Sequence, residues 1–255
     1  MNGEKLAMEG SDVNRRNFLQ AVGIGAGVAG LAGTSGFASA ADDQMIEEVE
    51  PLSEDEAVHQ FELAMNFDHV QEVTAFMGEG SLEMVSDRVW AGRIYTTDEE
   101  LDARRPVVVS IPFKGDPDHD EGGFFWELLF DNDDGDRIAA GGFGITVERV
   151  GDQDYHKVYA HEDEEPAVIE SEPLEDEEPE VVTQDLSCWV CERAVSAACR
   201  NGIFTSFHGL CTRVCSWFAS DDTCEDACDL LAAFSEWFVC EHLGAEDACE
   251  LFRLC

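Results

Sequence analysis

No cysteine occurs before residue 188 of this 255-residue chain, and basic residues are scarce throughout, 15 against 56 acidic. The first absence means that residues 1–187 fold, where they fold, without covalent cross-links. The second gives a formal charge of −41. Nucleic acid is thereby excluded as a partner, because its phosphates need Lys and Arg. The usual attraction to anionic membrane surfaces is missing as well. Catalytic patterns are also lacking. There is no nucleotide-binding glycine loop, no nucleophile elbow and no metalloprotease helix. The seven histidines are scattered, with no carboxylate or cysteine beside them at a catalytic or metal spacing. His156 and His161 lie close together, at a strand end and in a linker. No enzyme activity, cofactor or metal is expected.

What is present is acid. Residues 1–40 carry three acidic and three basic side chains, and residues 185–255 carry twelve and four. The stretch between holds a net −33. Such self-repulsion opposes a compact state in dilute solution. Molar salt shortens the Debye length to ~3 Å and removes most of it. Acids spread along the whole chain fit adaptation to high salt better than a localised cation-binding surface.

The N-terminus reads as an address. Residues 14–20 are NRRNFLQ, and Arg15-Arg16 followed by Phe18-Leu19 resembles the twin-arginine export motif. An uncharged run from Ala21 to Phe37 follows, but its six glycines make it a poor transmembrane helix. Ala38-Ser39-Ala40 supplies the small residues of a signal-peptidase site, with cleavage after Ala40. Residues 1–40 are expected to be a signal peptide that engages the twin-arginine translocase and leads to secretion. Export permits disulfides.

Residues 41–161 read as a small acidic α+β domain. Apolar side chains recur at helical spacing from Val58 to Met77 and stop at Gly78. Five short runs rich in β-branched and aromatic residues follow: 88–96, 106–113, 124–130, 137–149 and 155–160. One or two helices and an antiparallel meander are expected, with Asp134-Gly135 as a hairpin turn. The run from Asp131 to Asp136 looks like a calcium loop, but the required glycine and glutamate fall at the wrong positions. Residues 162–187, acidic and proline-containing, read as a self-repelling linker and a processing site.

The ten cysteines are Cys188, Cys191, Cys199, Cys211, Cys215, Cys224, Cys228, Cys240, Cys249 and Cys255. A module of about 70 residues has a marginal hydrophobic core, and disulfides at roughly 2–4 kcal/mol each would staple it. Four helices are expected, broken at Asn201-Gly202, near Ser220 and at Gly244. Cys211 and Cys215 share a helix face, as do Cys224 and Cys228. Residues four apart hold their Cβ atoms ~5–6 Å apart, too far for a bond within either pair. The pairs should therefore bond to each other across a helical hairpin. Spacing outward is nearly palindromic, which favours a nested set closing with Cys188–Cys255. Zinc is disfavoured, because no second C-x-x-C follows Cys188-x-x-Cys191 at zinc spacing.

The module resembles the C-eight type of halocin, an archaeal bacteriocin family. The likeness rests on Cys188-x-x-Cys191, on Cys199, on ten cysteines in all, and on Cys249-x5-Cys255. It implies a secreted precursor whose C-terminal peptide is released and acts on related cells, at their membrane or a surface receptor. It also implies that the N-terminal region binds and masks that peptide as an immunity domain. The same end motifs resemble saposins, helical lipid binders with nested disulfides, which implies a non-toxic lipid- or protein-binding module at the cell surface. Exposed aromatics are expected to make the contact: Trp217, Trp237 and Phe238.

Overall fold

The computed structural model describes residues 45–115, 121–162, 165–174, 186–201, 211, 215 and 221–251. The export motif at Arg15, Arg16, Phe18 and Leu19, the cleavage residues Ala38 and Ala40, and residues 175–185 of the linker lie outside them.

An antiparallel sheet is the centre of the described residues. Its strands are β1 (Ile46–Pro51), β2 (Glu83–Met84), β3 (Trp90–Thr96), β4 (Val107–Lys114), β5 (Gly122–Asp131), β6 (Arg137–Val150), β7 (Gln153–Glu162) and β8 (Glu165–Pro173). Their order is β1-β3-β4-β5-β6-β7-β8, with β2 paired to the far end of β4. The five expected strands are therefore present as a meander. The β5–β6 hairpin closes as expected, with Gly135 at φ 80° and Asn132 Oδ1 accepting from the amides of Asp134 and Asp136.

Helices α1 (Glu54–Ala64) and α2 (Asp68–Met77) cover one face. A capping box starts α1. Ser53 Oγ accepts from the Glu56 amide, and the Glu56 carboxylate accepts from the Ser53 amide at 3.2 Å. The continuous periodicity from Val58 to Met77 is thus split in two, with α1 closed at Met65. A short helix α3 (Glu99–Ala103) joins β3 to β4.

β8 is a correction to the linker. Glu165–Pro173 pairs along β7, from Glu162↔Glu165 to Tyr155↔Pro173. Two prolines and a row of acids mark it as an edge strand rather than a tether. The histidines are corrected with it. His156 and His161 both lie within β7, and both are buried.

The cysteine module is helical, as expected. It contains α4 (Leu186–Asn201), α5 (Asp221–Ala233), a π-helical continuation (Phe234–Leu243) and α6 (Gly244–Leu251). Cys211 and Cys215 are helical too. Four nested bonds join Cys191–Cys249, Cys199–Cys240, Cys211–Cys228 and Cys215–Cys224. Their Cα atoms stand 5.9, 5.6, 5.6 and 5.4 Å apart. The fifth expected pair, Cys188–Cys255, falls outside the described side chains. The expected uniform helix to Cys240 opens at Phe234. There the Ser235 hydroxyl donates back to the Leu231 carbonyl at 2.8 Å, a bond that loosens the α-helical ladder. Gly244, at φ 79°, ends the segment in the left-handed region.

The candidate functional site at the seam between sheet and module

The second face of the sheet carries the module. Alternation along β5 sends Phe125, Glu127 and Leu129 toward α1 and α2. It sends Phe124, Trp126, Leu128 and Phe130 into a cluster shared with Cys191, Ala194, Val195, Ala198, Phe234 and Phe238. A strand that is apolar on both faces must be covered on both. The helices cover one face and the module covers the other.

Trp126 is the centre of this seam. It is fully buried, and its indole N–H donates to Ser110 Oγ at 3.1 Å. Phe124 lies 4.6 Å from it, and Phe143 meets it edge-on at 5.5 Å. From the module, Phe234 meets it edge-on at 5.6 Å and itself stacks on Phe238 at 5.5 Å. T-shaped and offset contacts of this kind add about 0.5–1.5 kcal/mol each beyond the area they bury. On α4 the buried residues Cys191, Ala194, Val195 and Ala198 fall at i, i+3, i+4 and i+7. Their small side chains let the helix approach the sheet closely.

A bulge in β6 shapes the floor beneath the module. Leu128 pairs with Gly141 and Leu129 with Ala139, so Ala140 has no opposite residue. Up to and including the bulged residue, Ile138 and Ala140 face the module; after it Phe143, Ile145 and Val147 do. The extra residue reverses the alternation and keeps apolar side chains on one face. Cys211 Sγ lies 3.6 Å from the Ala140 carbonyl, directly over this point. Gly141, at φ 127°, donates its N–H to Glu127 Oε1 at 2.8 Å.

Charge enters the seam at the β6–β7 hairpin. Asp154 accepts from Arg149 Nε at 2.9 Å and from Arg193 Nη1 of α4 at 2.8 Å. At the other end, the Asp226 carboxyl of α5 is held above the usual carboxylate range, first by desolvation and then by Asp98, Asp229 and Glu100. Two of those acids, Asp98 and Glu100, belong to the sheet side.

On the opposite face the fold brings together four titratable groups, His69 and Glu72 from α2, Glu127 from β5 and His161 from β7. His69 Nε2 is 3.3 Å from Glu127 Oε2, and His161 Nε2 is 2.9 Å from Glu72 Oε2. The two imidazoles meet edge-on at 6.3 Å. Glu127 and His69 are sealed from solvent. Among the described residues, no group of three or more His, Cys, Asp or Glu side chains could hold a metal ion.

Of the three aromatics expected at a contact surface, Phe238 is buried within the shared cluster. Trp217 and the side chain of Trp237 lie outside the described residues. Sequence reasoning did not find Trp126, Phe143, Phe234, Asp154 or Arg193. A signal for the first was available in the FFWELLF run of β5 (residues 124–130), whose second apolar face demands another layer. Compared with protein-family models, curated proteins and solved structures, the chain matches none.

Proposed function

We infer that the chain is the secreted precursor of a halocin-like antimicrobial peptide. The peptide is the disulfide module, released from the C-terminus, and the sheet domain masks it until release. The observation that carries this reading is the seam. The aromatic and small apolar side chains with which the module would meet a target are packed on Trp126 and its neighbours. Four disulfides are the mark of an extracellular or secreted protein, and no described helix is long and apolar enough to cross a membrane. The Arg15-Arg16 motif supplies the route, through the twin-arginine translocase. A stapled module keeps its fold when its neighbour is cut away. The target is the membrane or a surface receptor of related cells, and the reading needs no catalytic centre.

The test is a killing assay in the salt in which those cells grow. Purified 185–255 should kill, and the uncut chain should not. Equal activity of the two would remove masking. Inactivity of the purified, disulfide-intact module would remove the toxin. The nested bonds favour one second reading, a non-toxic saposin-like lipid or protein binder. For that reading the same preparation should bind vesicles or a surface protein without killing.

A further inference from the structure

We propose that Asp154 is the positioning residue by which the sheet domain recognises its own module, through the guanidinium of Arg193. The proposal rests on the masking reading and names what makes masking specific. The described buried core of the seam is built from aromatic and aliphatic side chains. Such a surface supplies affinity but discriminates weakly, since apolar contact is non-directional. A helix on a sheet face can also settle in more than one register. A charged pair withdrawn from solvent at one fixed point selects both partner and register.

Asp154 has the required setting. Its side chain is 8% exposed and that of Arg193 17%. Both carboxylate oxygens are engaged: Oδ1 by Arg149 Nε and Oδ2 by Arg193 Nη1. Arg149 faces Asp154 across the β6–β7 ladder, at the end closed by Gly151 in the left-handed region (φ 68°). The carboxylate is therefore held in place on the sheet before the module contributes anything. The Asp154 carbonyl also accepts the Leu174 amide at 2.8 Å, so the same residue fixes the point where the chain leaves β8. Bases are rare on the module: Arg193 is one of four, with no lysine among residues 188–255. The partner that fits is a disulfide-stapled helical module with a guanidinium at this position of its first helix. A module with a neutral or acidic residue there would leave one carboxylate oxygen buried and unmatched.

A double-mutant cycle on the full chain tests this. A specific protease site is placed within 175–185, and the folded protein is cut in molar salt. Loss of the module is then followed by gel filtration. Arg193→Gln and Asp154→Asn should each speed the loss about tenfold or more. The double variant should be no faster than the faster single, because both remove one interaction. Asp154→Glu should recover part of the retention. Arg149→Gln frees Oδ1 but leaves Arg193 its partner, and should speed the loss less than Arg193→Gln does. Unchanged loss in both single variants, or a double variant whose effect is the product of the two, overturns the proposal. Because Arg193→Gln leaves the sheet domain intact, a folding defect of Asp154→Asn does not shield the idea. If the unmodified cut chain releases its module at once, the masking reading falls and the proposal with it. If the module stays docked but the isolated peptide kills nothing, only the toxin reading falls.

Discussion

Glu127 is an acid in the middle of a strand whose neighbours on both faces are apolar, and it is fully buried. One oxygen accepts the amide of Gly141, next to the bulged Ala140, and the other faces His69. Buried polar groups without partners cost free energy, so this carboxylate does structural service for the bulge on which Cys211 rests. Glu127→Leu should destabilise the chain by about 3 kcal/mol, read from chemical unfolding in molar salt. Glu127→Gln keeps an acceptor for Gly141 and should cost less; equal costs would deny the bulge contact any role. Tyr159 gives a pH-dependent counterpart. Its phenol is held protonated above the ordinary 10.0, first by burial and then by its contact with Glu148. A raised folded pKa means that its contribution is complete below pH 10 and declines as pH rises further, where only the unfolded chain ionises. Stability should therefore fall as pH climbs past 10. In an absorbance titration the Tyr159 phenol should ionise above the ordinary tyrosine range. Tyr159→Phe should flatten that part of the stability profile.

The disulfide ladder shows how elements share the work of stapling. In a nested set each bond closes only the chain beyond the next bond inward. Cys199–Cys240 encloses twelve further residues on each side, whereas Cys211–Cys228 encloses four on each side of the innermost pair. On the chain-entropy account, removing Cys199–Cys240 should cost roughly 1 kcal/mol more than removing Cys211–Cys228. Paired Cys→Ala variants followed by urea unfolding would measure this; the reverse order would contradict the nesting. Peptide mapping should recover Cys211–Cys228 and Cys215–Cys224 and no bond within either helix. Spacing made this ladder legible, because a four-residue interval on a helix fixes which cysteines share a face. β8 was hidden for the opposite reason. Acids and prolines are the composition of a linker, and only the exposed edge of β7 gives such a segment a ladder to join.

At the scale of the molecule, two like-charged parts share one core. The segment around the sheet carries −33 and the C-terminal part −8, so their attraction must be apolar. Salt screens the repulsion and strengthens burial of apolar surface when the anion is kosmotropic. Melting temperature should therefore rise with salt into the molar range, and retention of a cut module should rise with it. Asp226 is the local expression of this balance, because burial first, and then Asp98 and Glu100 across the seam, raise its pKa. Asp226→Asn should weaken the salt dependence of retention without abolishing docking. A seam that loosens as salt rises would show that ion pairs dominate it.

Composition and spacing by themselves determined the acidic character of the chain, the five central strands and the hairpin at Gly135, and they favoured the nested order of the four inner disulfides. These are properties of local chemistry: charge per residue, period along a strand, interval along a helix. Tertiary structure alone decided that the module lies on the sheet, with Trp126 against Phe234, Arg193 against Asp154 and His69 against Glu127. Those partners are separated by 108, 39 and 58 positions, and no local pattern couples them. A strand apolar on both faces states that a second layer exists. Which segment supplies it is settled by three-dimensional packing, where the small residues of α4 and the aromatics beyond α5 fit the face that the helices α1 and α2 leave open.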